Sequence, residues 1–165
     1  MAFSAQRTVA YAPTEVARAL ASEDFHRSVI ESLGGSLVSF ERDGDVNSAM
    51  TVTTVRTAPA DRLPEKVAKF VGDTVRVEQV ERWDAPRPDG SRTGTTTITI
   101  PLAKATAEAS MHLQLAGEST DYAVQGSVSC RIPLVGSKLA AKAEPMVGKV
   151  IDKQAREIEK YLGSR

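Results

Sequence analysis

Residues Ser137 to Leu162 read SKLAAKAEPMVGKVIDKQAREIEKYL, and this stretch decides the fold. Apolar residues recur in it at the 3.6-residue period, which predicts a single helix with one apolar stripe. At 1.5 Å per residue the helix would be about 39 Å long, enough to cross a sheet. Pro145 is expected to kink it, because proline removes one backbone hydrogen bond. The stripe consists of Leu139, Ala143, Met146, Val147, Val150, Ile151, Ile158 and Leu162.

The chain before this helix alternates between apolar and polar residues in seven stretches, which is typical of half-buried strands. Each strand then has one polar and one apolar face, so the sheet is expected to be solvated outside and packed inside. The final helix is the one segment long enough to cover the inner face. The predicted strands are Phe3–Tyr11, Ser36–Arg42, Val46–Thr57, Thr74–Asp84, Thr95–Ile100, Ala103–Ala116 and Ser119–Arg131.

Two short helices are expected between the first two strands, one with Pro13 at its first position and one capped by Asp24. Asp43-Gly44-Asp45 is predicted to form a hairpin turn. The loop Ala85–Arg92 is rich in turn residues and is expected to be exposed. Leu63–Val71 is predicted to form one or two helical turns. The sequence therefore predicts one α+β domain, residues 1–165, with a curved antiparallel sheet wrapped around its C-terminal helix.

Charge and hydropathy exclude several classes of protein. The 165 residues include 21 Lys+Arg and 21 Asp+Glu, so the formal net charge is zero. This balance argues against nucleic-acid binding and provides no polybasic patch for a membrane. No apolar run approaches the roughly 18 residues that a membrane-spanning helix needs. The N-terminal stretch contains Gln6 and Arg7 within a strand pattern, so no signal peptide is expected and a cytoplasmic location is predicted.

Four stretches of the chain resemble a known family. They are EDFHR at 23–27 before Leu33-Gly34-Gly35, LPEKVAKFVG at 63–72, the strand ending in Glu81-Arg82-Trp83, and IPLVGSK at 132–138. They are similar to the bacterial DUF2505 family of the START-like superfamily, also called SRPBCC or the polyketide cyclase and lipid-transfer superfamily. The IPLVG element also resembles its counterpart in the carbon monoxide dehydrogenase-related group of that superfamily.

The resemblance implies the helix-grip fold, as in START and Bet v 1-like proteins, with a cavity between the sheet and the C-terminal helix. Members of the superfamily include lipid carriers, hormone receptors, cyclases and dehydratases, so the fold alone does not define the function.

No catalytic or metal-binding motif is present. The chain lacks a phosphate-binding glycine loop, a His-Glu-x-x-His motif and paired cysteines, so no cofactor or metal is expected. His26 is expected at the surface or at a helix cap. His112 and Glu108 share the polar face of one strand, which favours a solvated pair. Cys130, the single cysteine, is expected to be a small buried residue.

Polar residues occur on the inward faces of two strands. Thr54 and Arg56 lie on one, and Gln79 and Glu81 on the next. A charge is rarely buried without a partner, so these groups are expected at an open rim or, as the alternative, in an Arg56–Glu81 pair. An ionised, paired Glu81 would orient the polar head of a ligand, whereas a desolvated, unpaired Glu81 would favour an enzyme.

Three functions follow from this pattern. The favoured one is binding of a hydrophobic small molecule or lipid, since Ala107 and Ala109 leave space on the inward face. The alternatives are a cyclase or dehydratase that uses Glu81 or Tyr122, and an interaction module with a filled core. Protein partners are not indicated. The predicted ligand-binding residues are Met50, Val52, Val77, Gln79, Glu81, Trp83, Ala107, Ala109, Met111, Tyr122, Met146 and Val150.

Overall fold

The fold was obtained as a computed structural model. It describes residues 2–62, 65, 68–69, 72–131 and 136–164, with the side chains of residues 62, 136–144 and 146 left out. Most of the predicted helical turn at 63–71 lies outside the described residues. No helix in the described part is long and apolar enough to cross a membrane.

The described strands form one antiparallel sheet in the order β1-β7-β6-β5-β4-β3-β2. From β2 to β7, each strand pairs with the next one in the chain. Strand β1 pairs with β7 and so forms the edge of the sheet opposite β2. The strands are β1 (Ala2–Val9), β2 (Ser36–Gly44), β3 (Met50–Pro59), β4 (Thr74–Trp83), β5 (Arg92–Ile100), β6 (Ala105–Ala116) and β7 (Ser119–Cys130). The helices are α1 (Pro13–Leu20), α2 (Glu23–Ser32) and α3 (Gly136–Gly163). The predicted order of elements is confirmed.

The two short helices begin where their sequences favour a helix start. Pro13 occupies the first position of α1, where its missing N–H costs nothing. Ser22, and not the predicted Asp24, caps α2, because its hydroxyl accepts a hydrogen bond from the backbone N–H of Phe25 at 3.4 Å. The Tyr161 hydroxyl also lies 3.0 Å from the Ser22 hydroxyl, which ties the end of α3 to this cap.

Helix α3 packs mainly against β1 and β7 and against α1 and α2. Ile151, Ala155 and Ile158 are buried on its inner stripe. An Arg7–Asp152 ion pair joins β1 to the helix. This off-centre packing leaves space between the helix and the middle strands of the sheet.

The predicted hairpin turn at Asp43-Gly44-Asp45 is wrong by a few residues. Strand β2 continues through Gly44, whose φ of 87° glycine adopts without strain, and the turn covers residues 45–49. The Asp45 carboxylate accepts a hydrogen bond from the backbone N–H of Asn47 at 2.8 Å, the geometry of an Asx-turn. Val46, predicted to begin β3, therefore lies in the turn.

The end of the predicted exposed loop is buried. Arg92 is 2% exposed, and its guanidinium donates hydrogen bonds to the carbonyls of Val46, Ser48 and Asp84 at 2.9, 2.8 and 3.1 Å. A guanidinium has five N–H donors, so one side chain can bond to two carbonyls of the β2–β3 turn and to one just after β4. Turn-forming composition indicates the loop but does not reveal this tertiary contact.

Candidate ligand-binding cavity

A cavity of about 320 Å³ lies between the inner face of the sheet, α2 and α3. It lies where α3 stands away from the middle strands, so its walls come from alternate residues of β3 to β7. The two-residue period of each strand turns these residues inward together. The apolar wall includes Val75, Val77, Ile98, Ile100, Ala107, Ala109, Met111, Val124, Val147, Val150 and Ile151, with Phe25, Val29, Ile30 and Leu33 from the α2 side.

Eight of the twelve predicted site residues line this cavity. They are Val77, Gln79, Glu81, Ala107, Ala109, Met111, Tyr122 and Val150. Val150 is 42% exposed and so stands at the mouth of the cavity, not on the buried stripe predicted for it. The side chain of Met146 lies outside the described residues.

Met50, Val52 and Trp83 are buried but are not part of the described cavity wall. Met50 and Trp83 are directly opposite each other on β3 and β4. Both belong to the core cluster that also contains Val16 and Leu20 of α1. Helix α1 and its neighbours fill the end of the sheet around Met50 and Trp83, and neither these two residues nor Val52 line the described cavity. A role for the three in ligand binding stays a prediction.

A short chain of hydrogen bonds crosses the wall from β3 to β5. The Arg56 guanidinium donates to the Gln79 side-chain oxygen at 2.8 Å. The Gln79 amide then donates to the Thr96 hydroxyl at 3.1 Å. Antiparallel register explains the cluster, since Thr54 faces Gln79 and Glu81 faces Thr96 across neighbouring strands. Polar groups from three strands therefore meet at one place in an otherwise apolar wall.

Glu81 is buried at this polar place, with 3% of its surface exposed. Burial raises the pKa of its carboxyl to about 7, although the nearby Arg56 charge opposes the rise. In the described part of the chain Glu81 makes no hydrogen bond and no ion pair. The expected rim position of Glu81 is therefore wrong, and so is the alternative of an Arg56–Glu81 ion pair. The arrangement matches the desolvated, unpaired Glu81 that the sequence analysis associates with an enzyme.

His26 lines the cavity, contrary to the expectation of a surface or capping residue. One ring nitrogen lies 2.6 Å from the Leu20 carbonyl oxygen, and the ring packs edge-on against Phe25 at 5.3 Å. Burial lowers the pKa of His26, and the Arg56 charge lowers it further, against the effect of that hydrogen bond. The sequence carried a signal for this position, because His26, Val29, Ile30 and Leu33 recur at helical spacing.

Tyr122 brings a fourth titratable group to the wall. Burial raises the pKa of its hydroxyl, and the Glu81 carboxylate raises it further by repelling a phenolate. Tyr122 therefore stays protonated and can donate a hydrogen bond into the cavity.

The other residues considered for a chemical role are not part of the described cavity wall. His112 and Glu108 are exposed on the outer face of β6, as expected. Cys130 is half-buried, and its thiol lies 3.3 Å from the Ala103 carbonyl oxygen. Within the residues that the structure describes, no three His, Cys, Asp or Glu side chains are grouped to hold a metal ion.

Solved structures with the same architecture cover nearly the whole chain. TTHA0849 from Thermus thermophilus is 16% identical, with a TM-score of 0.62 over 97% of this chain and 95% of that one. Ara h 8.0201 is 14% identical, with a TM-score of 0.53 over 100% and 99%. Norcoclaurine synthase from Thalictrum flavum is 12% identical, with a TM-score of 0.54 over 100% and 87%. At these identities the likeness establishes the fold alone, which is the predicted helix-grip fold.

A comparison with curated proteins found no match. The family model described as protein of unknown function, DUF2505, matches residues 4–162, nearly the whole chain. The resemblance inferred from the sequence is thereby confirmed. The chain belongs to the DUF2505 family and has the helix-grip fold.

Proposed function

We propose that this protein binds a small, mostly apolar molecule with one polar end in the cavity between sheet and helix. The observation that carries the proposal is a cavity of about 320 Å³ with apolar walls and one cluster of inward polar groups. Small-molecule sites combine these features, because apolar walls supply affinity and a few polar groups fix orientation.

The size of the cavity limits the ligand. At roughly 30 Å³ per heavy atom, the volume that one water molecule occupies in the liquid, it holds about ten heavy atoms. A ligand of this size fits wholly inside, and a longer one must extend through the mouth beside Val150, which is 42% exposed.

An environment-sensitive apolar dye tests the proposal. The native protein should bind the dye saturably. Ala107 is a half-buried residue of the cavity wall, so the ring introduced by Ala107→Phe should occupy part of the cavity and weaken binding. Ser110→Phe adds the same ring on the exposed outer face of the same strand and is the matched control. If the native protein binds neither dye nor lipid saturably, the proposal fails in favour of an interaction module.

A second candidate is an enzyme that uses Glu81 as a general acid or base. The observation that favours it is the pKa of about 7 at a buried carboxyl beside the cavity, which is suited to proton transfer at neutral pH. Tyr122, protonated in the same wall, would supply a second donor. Norcoclaurine synthase, an enzyme by its name, shares the fold.

Deuterium exchange separates the two candidates. A small ketone that binds in the cavity should incorporate deuterium next to its carbonyl faster with the native protein than with Glu81→Gln if Glu81 acts as a base. Equal exchange by the two proteins, with the ketone bound to both, would leave binding as the function.

A further inference from the structure

Arg56 is a cation with unused donors in the cavity wall. Its side chain is half-buried, and one of its five N–H groups donates to Gln79. Within the described part of the chain it makes no ion pair. The nearby Glu81 carboxyl interacts with the Arg56 charge but is ionised only in part at neutral pH, so the half-buried guanidinium is suited to a further anion.

The other titratable groups of the described wall are His26 from α2, Glu81 from β4 and Tyr122 from β7, while α3 contributes the neutral Gln154. The lowered pKa of His26 keeps it neutral at pH 7, and the raised pKa of Tyr122 keeps it protonated. Glu81, with a pKa of about 7, changes its charge within the neutral range. Within the described wall, Arg56 is therefore the group that stays positively charged throughout the neutral pH range. The ionisation state of Glu81 decides whether a negative charge lies near it.

We propose, on the premise of the binding function above, that the ligand carries a carboxylate that pairs with Arg56 while Glu81 takes up one proton. The proton comes from solvent, so binding of the anion adds up to one proton to the protein, according to how much Glu81 is already protonated. Protonated Glu81 no longer repels the ligand and can donate a hydrogen bond to it.

The charges distinguish a carboxylate from other head groups. An ammonium group would be placed beside Arg56, a like charge in a poorly solvated site. An alcohol can bond to Gln79 or Thr96 but brings no negative charge to pair with Arg56. A planar monoanion matches both the single positive charge and the fork of N–H donors, since guanidinium and carboxylate form paired hydrogen bonds.

Octanoate, octan-1-ol and octylamine form a matched series of probes with about ten heavy atoms or fewer, the number that fits the cavity. Calorimetric titration of the native protein should give an affinity for octanoate at least about tenfold above that for octanol, as expected for hydrogen bonds to a charged group. Arg56→Gln should reduce the ratio of the octanoate affinity to the octanol affinity, both measured in the same variant, to within about twofold.

The pH dependence tests the role of Glu81. If the protonated form binds octanoate, its affinity should fall about tenfold from pH 6 to pH 8, because the protonated fraction of a group with pKa about 7 falls by that factor. Glu81→Gln, which mimics the protonated carboxyl, should bind tightly with no such dependence. Titrations in buffers of different ionisation enthalpy should show uptake of up to one proton by the native protein.

Each contrary result points to a different failure. Equal affinity for octanoate and octanol, or tighter binding of octylamine, overturns the carboxylate inference and leaves the binding function intact. The same holds if the dye binds and none of the three probes does. If neither probes nor dye bind, the proposed function itself fails. Should Arg56→Gln not fold, the probe series and the pH dependence of the native protein still decide.

Discussion

Replacing Glu81 by Gln should stabilise the folded protein at alkaline pH. The pKa of Glu81 rises from an ordinary 4.5 to about 7 on folding, chiefly through burial. At about 1.4 kcal/mol per pH unit, this difference corresponds to about 3 kcal/mol of unfolding free energy. Glu81 is 3% exposed, so solvent screening does not reduce this figure much.

The sign follows from which state binds the proton more tightly. The raised pKa means that the folded protein holds the Glu81 proton more tightly, so this contribution is fully present below about pH 4.5 and is lost as pH rises through about 7. Above pH 7 the ionised side chain is buried at its full cost. Glutamine keeps the shape without the charge, so its advantage over the native protein should increase with pH.

Urea unfolding of the native protein and of Glu81→Gln at pH 5 and pH 8 measures this advantage. We expect the difference in unfolding free energy between Glu81→Gln and the native protein to be about 2 to 3 kcal/mol larger at pH 8 than at pH 5. Any pH-independent difference between the two side chains cancels in this comparison. Glu108→Gln, at an exposed glutamate on β6, is the matched control for replacing a glutamate by glutamine. An advantage that shrinks as pH rises would refute the reasoning, because it would mean that Glu81 is ionised and stabilised by Arg56.

Three further predictions concern the contacts that hold the fold. Arg92→Ala removes three hydrogen bonds made by a side chain that is 2% exposed and should lower the unfolding free energy by about 3 kcal/mol in urea, whereas Arg87→Ala, at an exposed position of the same loop, should cost under about 0.5 kcal/mol; equal losses would contradict a stabilising role of the Arg92 hydrogen bonds. Ser22→Ala removes the cap of α2 and should cost about 1 kcal/mol, measured by thermal unfolding, and no loss would argue against that cap. Asp152→Asn breaks a solvent-accessible ion pair with Arg7 and should lower the stability only slightly, by a loss that shrinks in high salt; a salt-independent loss would contradict a surface ion pair.

The sequence predicted the elements and their faces well because both rest on local periodicity. The apolar stripe of Ser137–Leu162 predicted α3, and alternation placed Val77, Gln79 and Glu81 on the inner face of β4. A two-residue period identifies the face of a residue but not its depth along the strand. Glu81 is expected at a rim because a charge is rarely buried without a partner, but tertiary packing leaves it only 3% exposed.

The missed features depend on packing between distant segments. Met50 and Trp83 have inward parity, as Val77 does, yet α1 fills their end of the sheet and leaves the other end open. No local pattern specifies which end a short helix covers. Arg92 lies at the end of a turn-rich loop, and two of its three carbonyl partners belong to the turn at residues 45–49, more than 40 residues away in the sequence.

The central claim is that a ligand enters the cavity and contacts its apolar wall. Intermolecular nuclear Overhauser effects between octan-1-ol and the methyl groups of the protein test it most directly. We expect saturable effects at Ala107, Ala109 and Met111, which line the cavity from β6. Effects confined to the exposed side chains of Val38 and Leu102, which are 55% and 61% exposed, would contradict the account.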